Sequence, residues 1–446
     1  MYITSNILRR LNLTEKKEKI VRNLFWATLS KIVSLVGSFV VGIFVARYLG
    51  KEQYGLMNYI ISFVMLFQVV AYFGLDNIQI REEAKMPEER DKIVGTTFFL
   101  RIGLAVVTYL VLIVWVCLLE KDSFTRTLII LYGFVIIIET FTVIRNHFTS
   151  IVWNEYVAKT EIGRTLIGAV LKVVLMLCHV SLIWFVIALV FDFVLLASGY
   201  VLSYSKKIDT MRKWRYDNQL AKFLLRQSFP LFLSGAAFVF YNRIDQVMVD
   251  RMIDHQHLGL YAVAVRFMEL LTIVPTIIAQ TVTPLLVDIR RSDVERYERM
   301  SRLFMNVTVA VCVLLALFVS MLSYPIVYCT FGQAYLGATS VLAILSFKVI
   351  GDALSQTSGQ LIIIENLQKY APIRNIIGCV TCIALNYLLI SHYGIHGAAY
   401  AAVITMFVSG TLANFVIPAY SQIFHKQIYA LCFGWRDVTN IKQLMR

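Results

Sequence analysis

The chain has 446 residues, of which 58% are hydrophobic and 16% are charged, and its mean hydropathy is +0.69. So few charges cannot cover the surface of a soluble fold, and so apolar a chain is not disordered. The composition is typical of a helical membrane protein, so the formal net charge of +14 first raises the question of which side of the bilayer the bases occupy.

Apolar runs bounded by charged clusters predict twelve membrane-spanning helices, each long enough to cross about 30 Å of hydrocarbon. The run from Ile162 to Tyr204 is too long for one span and must hold two helices, with a tight turn near residues 179–181. The fold class is therefore an all-α, multi-pass membrane protein. The predicted spans are Leu24–Ala46, Met57–Phe73, Ile93–Leu119, Thr127–Phe148, Ile162–Leu177, Leu182–Tyr204, Phe229–Val249, Gly259–Leu285, Leu303–Leu322, Ala338–Ile363, Ile376–Ile390 and Gly397–Ile417.

Lysine and arginine are distributed unevenly between alternate connections. With the N-terminus inside, the inner connections carry about six bases for every one in the outer connections. This bias predicts that both termini are cytoplasmic, and it explains the basic composition without a nucleic-acid partner. The basic N-terminal tail, residues 1–23, is expected to lie along the anionic inner leaflet.

A weak internal repeat divides the spans into two halves of the same orientation. Arg47 and the pair Gly55-Leu56 return at one constant offset as Arg251 and the pair Gly259-Leu260. Parallel repeats of this kind are a common plan of transporters. The expected organisation is a tail at 1–23, an N-terminal lobe of helices 1–6 at 24–204, a basic cytoplasmic linker at 205–228, a C-terminal lobe of helices 7–12 at 229–417, and a cytoplasmic tail at 418–446.

Four stretches carry a resemblance to a known family. Ala46–Leu56 resembles the first external turn of the polysaccharide and O-antigen flippases, and Phe73–Glu82 resembles the segment that follows their second helix. Tyr241–Met248 and Gly259–Glu269 resemble their seventh and eighth helices. These flippases are the polysaccharide transporters of the multidrug/oligosaccharidyl-lipid/polysaccharide superfamily. Lys51 departs from the family, which often has proline there.

The resemblance implies a fold of two six-helix bundles, arranged as the V-shaped lobes of a MATE-like transporter around a central cavity. It implies a flippase, not an enzyme, in the cell (inner) membrane. Its cargo would be an undecaprenyl-diphosphate-linked oligosaccharide, the repeat unit of a surface polysaccharide such as capsule or the O-antigen of lipopolysaccharide. No cofactor is expected beyond a coupling proton or sodium ion. A polysaccharide polymerase and glycosyltransferases are the expected protein partners.

Ionisable residues at membrane depth are rare and are functional or paired by default. A lipid diphosphate needs cations to replace its water, so we predict a cationic cavity built from Lys31, Arg101, Lys172 and Arg266. Snorkelling to the headgroups is the alternative for Lys31 and Arg101, and pairing with Glu269 is the alternative for Arg266.

Carboxylates at membrane depth are candidates for ion coupling or gating, because a buried acid can bind and release a cation. The candidates are Glu139, Asp192, Asp245 and Glu269. For Asp192, the alternative is an ion pair with Lys172 on the preceding span.

Three other functions are alternatives to the flippase. A multidrug or cation antiporter of the same superfamily would need an acidic or apolar cavity, which the basic excess disfavours. A peptidoglycan-precursor flippase would normally have fourteen spans. A membrane-embedded polysaccharide polymerase would need a long charged external loop, whereas the longest external connection, Ser323–Gly337, has no charge. The sequence has no nucleotide-binding motif, so ATP is not expected to drive transport.

Overall fold

The computed structural model describes residues 15–439, which form helices and turns and no strand. Most connections are short, as expected where the backbone must satisfy its own hydrogen bonds inside a membrane. The helices are α1 Glu15–Tyr72, α2 Leu75–Lys85, α3 Arg90–Leu119, α4 Ser123–Gly133, α5 Val135–Ile138, α6 Thr142–Ser150, α7 Asn154–Leu177, α8 Leu182–Lys207, α9 Asn218–Met252, α10 His255–Leu271, α11 Ile273–Ser292, α12 Val294–Met321, α13 Ser323–Thr330, α14 Ala338–Leu345, α15 Lys348–Ile364, α16 Ala371–Phe407, α17 Ala413–Val416, α18 Ser421–Cys432 and α19 Gly434–Thr439.

The predicted all-α membrane fold is confirmed, and each of the twelve predicted spans lies in helical structure. Within the described residues, nine helical segments are long and apolar enough to cross a membrane. Two of them, Thr28–Lys85 and Gln368–Val416, each hold two predicted spans. The remaining predicted span is α7, which is not among the nine and carries Arg164 and Lys172.

Two glycines with positive φ divide the long helical runs between consecutive predicted spans. Gly50 has φ 71° inside α1, and Gly394 has φ 57° inside α16. Positive φ is accessible to glycine at little steric cost, so each residue bends the chain between two consecutive spans. The predicted turn between α7 and α8 is confirmed at His179, with φ 51°, and the Tyr48 hydroxyl donates to the carbonyl of Val180 at 2.9 Å.

The two copies of the repeat meet at their glycines. A Cβ added to Gly55 would lie 1.8 Å from the carbonyl oxygen of His255, and a Cβ added to Gly259 would lie 1.9 Å from the carbonyl oxygen of Lys51. Lys51 and His255 stand at equivalent positions of the two copies, four residues before each glycine. The contact between the helix after Gly50 and α10 is therefore reciprocal, as expected if a local pseudo-two-fold axis passes between the glycines.

The chain forms two compact units. The first unit contains the described residues up to Tyr48 together with Val64–Phe232, and the second contains Leu49–Phe63 together with the described residues from Leu233 onward. The predicted lobe boundaries stay predictions. The predicted linker is partly helical, because α8 continues to Lys207 and α9 begins at Asn218.

The predicted terminal tails have different outcomes. Most of the N-terminal tail, residues 1–14, lies outside the described residues, as do residues 440–446. The described part of the C-terminal tail forms α18 and α19. Gln427 in α18 is fully buried, and it donates to the carbonyl of Gly410 at 2.7 Å. This part of the tail is therefore packed within the second unit.

Candidate functional site

A polar cavity of about 700 Å³ lies within the first unit. It is bordered by α1, the start of α2, the broken span of α5 and α6, and the facing helices α7 and α8. Its lining contains hydroxyl groups, and it has as many basic residues as acidic ones. The charged residues of the lining are Lys31, Asp76, Glu139, Arg145, Glu161 and Arg164.

Helical spacing places these side chains on common faces. On α1, Ser30, Ser34 and Ser38 recur every four residues beside Lys31, so that one face of an otherwise apolar helix is polar. The Ser34 hydroxyl lies 3.2 Å from the hydroxyl of Thr165 on α7, which joins the two helices at the edge of the cavity.

A second polar face comes from α7. Asn154, Val157, Glu161 and Arg164 follow one another at intervals of three or four residues and all line the cavity. The opposite wall is less regular, because a short 3₁₀ turn, Glu139–Phe141, interrupts the fourth span at Glu139 itself. Such interruptions often mark functional sites.

Each carboxylate of the cavity accepts a hydrogen bond from a neighbour. Glu139 accepts one from the Tyr72 hydroxyl, and Glu161 accepts one from the Tyr200 hydroxyl at 3.3 Å. Asp76 is neutralised, since Arg101 donates to it at 2.7 Å.

The three bases of the cavity are left available. Within the described part of the chain, Lys31, Arg145 and Arg164 form no ion pair. The Nε of Arg164 is buried and has no hydrogen-bond partner among the described residues. Unpaired bases at membrane depth are costly unless water or an anion solvates them. The cavity is therefore suited to an anionic group.

Behind the cavity wall, a buried polar network joins α2 to α6. The Asn146 amide donates to Asp76 at 2.6 Å and to Gln79 at 3.1 Å. Gln79 in turn donates to Glu83 at 2.6 Å, and His147 Nδ1 lies 2.6 Å from Glu83. These side chains satisfy one another in a region where an unpaired polar group would be costly. The network fixes the wall that presents Asp76.

Arg101 belongs to this network. Its side chain is 1% exposed, and its guanidinium carbon lies 4.9 Å from the centre of the Tyr72 ring. It does not line the described cavity, and it neither snorkels nor faces the lipid. The structure therefore gives Arg101 a role in positioning Asp76 and Tyr72.

Lys172 and Asp192 form the ion pair that the sequence left as the alternative. Lys172 Nζ donates to Asp192 at 2.5 Å, and both side chains are largely buried. They lie on consecutive helices, α7 and α8, away from the lining of the cavity. A pair in this place holds the two helices together, and neither residue faces the described cavity.

The remaining predicted residues lie in the second unit. Glu269 bridges two bases, accepting from Arg243 at 3.2 Å and from Arg266 at 3.1 Å. Asp245 is buried and accepts a hydrogen bond from the Tyr261 hydroxyl at 2.6 Å. Arg266 is thus a member of a partly exposed charge triad, while Asp245 is buried and hydrogen-bonded to a tyrosine.

Of the eight predicted site residues, Lys31 and Glu139 line the polar cavity, and the other six are not in its lining. Sequence reasoning did not place in the cavity the other four charged residues of its lining, Asp76, Arg145, Glu161 and Arg164. The signal for Glu161 was present, because polar residues recur on one face of α7. Arg145 was harder to identify, because it lies near the end of the predicted span Thr127–Phe148, beyond the 3₁₀ interruption. Within residues 15–439, no group of three or more metal-ligating side chains is present.

The fold and the cavity define a polytopic membrane protein with a polar site inside a helical unit. The chain belongs to the family described as polysaccharide biosynthesis protein, whose model matches residues 20–290. This match confirms the resemblance found in the sequence. No curated protein sequence matches the chain.

Solved structures support the same fold. The lipid II flippase MurJ, in an inward closed conformation, is 16% identical, with a TM-score of 0.60 over 94% of this chain and 93% of that chain. The MATE multidrug transporter DinF-BH is 16% identical, with a TM-score of 0.65 over 92% of this chain and 96% of that chain. At these identities the likeness shows a common fold, which belongs to transporters and flippases.

Proposed function

We propose that this protein is a flippase that moves an undecaprenyl-diphosphate-linked oligosaccharide from the inner to the outer leaflet of the cell membrane by alternating access. The observation that carries the proposal is the cavity of the first unit, in which Lys31, Arg145 and Arg164 are available to an anion. A diphosphate loses its hydration at this depth, and bases that do not already serve a carboxylate can replace that water.

Membership of the polysaccharide biosynthesis family supports a sugar-bearing cargo. One structural relative is named as a lipid II flippase, and a lipid-linked sugar is a cargo of the same chemical kind. Glycosyltransferases would supply such a cargo and a polymerase would consume it. These partners and the identity of the glycan belong to the proposal.

Export of a cationic drug is the second candidate. It is favoured by the three carboxylates in the cavity lining and by the multidrug transporters among the structural relatives. Two facts weigh against it. Asp76 is already neutralised by Arg101. The other two carboxylates, which are not neutralised by the tyrosines that donate to them, are outnumbered by the three bases of the lining. The bases have no such partners, so the balance of the cavity favours an anion.

Coupling to a proton or sodium gradient completes the proposal, and we assign it to Glu139. Among Glu139, Asp192, Asp245 and Glu269, it is the carboxylate that lines the described cavity. Asp192 and Glu269 are bound to bases. Loss of a cation from Glu139 would place a negative charge beside the bound diphosphate, and this repulsion would favour release.

The decisive test is to delete the gene and measure lipid-linked oligosaccharide on the inner side of the membrane. We expect accumulation, with recovery by the wild-type chain and none by a triple variant with Lys31→Ala, Arg145→Ala and Arg164→Ala. The triple variant must be present in the membrane in normal amount. Unchanged oligosaccharide together with new sensitivity to cationic drugs would support the antiporter instead.

A further inference from the structure

An apolar groove of about 520 Å³ lies on the first unit, apart from the polar cavity. Four of its lining residues, Phe99, Leu100, Gly103 and Leu104, come from one face of α3, and Tyr216 comes from the segment just before α9. The Tyr216 hydroxyl is the only side-chain polar group in this lining. The groove is therefore built to contact hydrocarbon.

The groove is an open space between ordered walls. A Cβ added to Gly103 would have no neighbour within 4 Å. Phe99 and Tyr216, 47% and 51% exposed, meet edge to face with their ring centres 6.3 Å apart. An aromatic pair with this much exposed surface, beside a glycine notch, forms a slot for a partner that is apolar along its length.

The floor of the groove is fixed by the core of the unit. Leu100 and Leu104 pack against a buried cluster of Leu75, Ile78 and Leu224. The slot therefore does not depend on a mobile segment for its shape.

The residue that precedes Tyr216 of the lining is a base, Arg215. The chain before α9 crosses α3 so closely that a Cβ added to Gly95 would lie 2.6 Å from the backbone nitrogen of Arg215. The Arg215 carbonyl accepts from Thr96 at 3.4 Å. This contact fixes the backbone of Arg215 two helical turns from Gly103.

The charges around Arg215 leave its guanidinium available. Asp217 pairs with Lys92 at 3.0 Å, and the backbone amide of Leu220 together with this ammonium holds the pKa of Asp217 below its ordinary value. The exposed side chain of Arg215 has no acidic partner within the described residues. One positive charge therefore remains beside the apolar groove.

We propose that this groove binds one acyl chain of an anionic phospholipid, whose phosphate is held by Arg215. At about 30 Å³ for each heavy atom, the share of a water molecule in the liquid, the groove holds about 17 methylene groups, the size of one acyl chain. From Gly95 to Gly103 the helix rises about 12 Å, so a chain anchored at Arg215 would run along the wall. The much longer polyprenyl tail of a lipid-linked sugar would overfill this space.

The test is native mass spectrometry of the full chain in detergent, titrated separately with phosphatidylglycerol and with phosphatidylcholine of the same acyl chains. We expect one phosphatidylglycerol to be retained in preference to phosphatidylcholine. Arg215→Gln should weaken this retention about fivefold, the effect of one base near an anionic lipid surface. Arg212→Gln, in the same linker, is the matched charge control and should change it less.

Filling the groove tests the site of the acyl chain. An added Cβ at Gly103 would meet nothing within 4 Å, and Gly103→Leu, which extends a side chain from there, should abolish the retained lipid. Gly163→Leu, at another helical glycine whose added Cβ would meet nothing within 4 Å, should leave it bound. Equal retention of the two phospholipids, or retention by Gly103→Leu, would overturn the proposal. A different result would be that a polyprenyl diphosphate displaces the phospholipid from the wild-type chain and fails to bind to Gly103→Leu. That result would overturn the proposal and assign the groove to the tail of the cargo. None of these outcomes depends on transport.

Discussion

Arg101 and Arg145 are two arginines of the same unit in contrasting surroundings. Arg101 is 1% exposed and is bonded to Asp76, whereas Arg145 lines the polar cavity. Removing Arg101 would strand the Asp76 charge and open a void beside Tyr72. Removing Arg145 would take away only a group that already faces open space.

We therefore expect Arg101→Ala to lower the free energy of unfolding by about 2–5 kcal/mol, because truncating this fully buried side chain leaves a cavity and Asp76, 35% exposed, loses its base. Arg145→Ala should stay within about 0.5 kcal/mol of wild type, as for a substitution with no structural partner. Thermal unfolding in detergent measures the stability of both, and accumulation of lipid-linked oligosaccharide in cells measures their transport. Arg145→Ala should be present in normal amount but should not transport, whereas Arg101→Ala should be present in a reduced amount in the membrane.

The control is a double variant, Arg101→Met with Asp76→Leu, which removes both charges. It should be more stable than Arg101→Ala if the stranded carboxylate is the cause. Normal stability of Arg101→Ala with loss of transport would instead return Arg101 to the cargo-binding role first predicted for it.

At the scale of the elements, what the sequence could predict depended on how local the signal was. The twelve spans followed from hydropathy and length, which are properties of single segments. The pairing of Lys172 with Asp192 was foreseen as an alternative, because a tight turn joins α7 to α8 and brings their middles together.

Other pairings were not accessible from sequence. Asp76, the partner of Arg101, lies in α2, between the second and third predicted spans. The charges of α2 are satisfied in two ways: Asp76 and Glu83 are bonded to Arg101 and to side chains of α6, and Glu82 pairs with two bases of the same helix. Partners on separate elements depend on tertiary packing, which hydropathy does not record.

The reciprocal contact of Gly55 and Gly259 leads to a prediction about helix packing. Gly→Ala in a helix normally stabilises by about 0.5–1 kcal/mol. Here each new Cβ would fall within 2 Å of a carbonyl oxygen on the other helix, and overpacking costs about 1–3 kcal/mol. We expect Gly55→Ala and Gly259→Ala to lower the unfolding temperature to a similar extent.

Gly235→Ala provides the matched control, since a Cβ added to this helical glycine would meet nothing within 4 Å. It should be neutral or slightly stabilising. The stability losses of Gly55→Ala and Gly259→Ala should not add in the double variant, because the first substitution already separates the two helices. Additive losses, or wild-type stability of either variant, would contradict the close crossing.

For the whole molecule, the net charge and the cavity charge are separate matters. Most of the bases lie in the connections between spans, where they bear on orientation. Three bases line the described cavity, beside three acids. The overall charge of +14 therefore says little about the cargo. An anionic cargo is favoured by the pairing of the cavity charges, a property that composition cannot express.

The orientation inferred from the bases can be tested with the native cysteines. Cys178 and Cys432 are both free and exposed. The predicted topology puts Cys178 in an outer connection and Cys432 in the inner tail. In variants that keep one cysteine each, a membrane-impermeant maleimide should label Cys178 on intact cells, and Cys432 only after the membrane is opened. Cys312, which is free and buried, should remain unlabelled in both conditions. Labelling of Cys432 on intact cells would reverse the topology, and with it the direction proposed for transport.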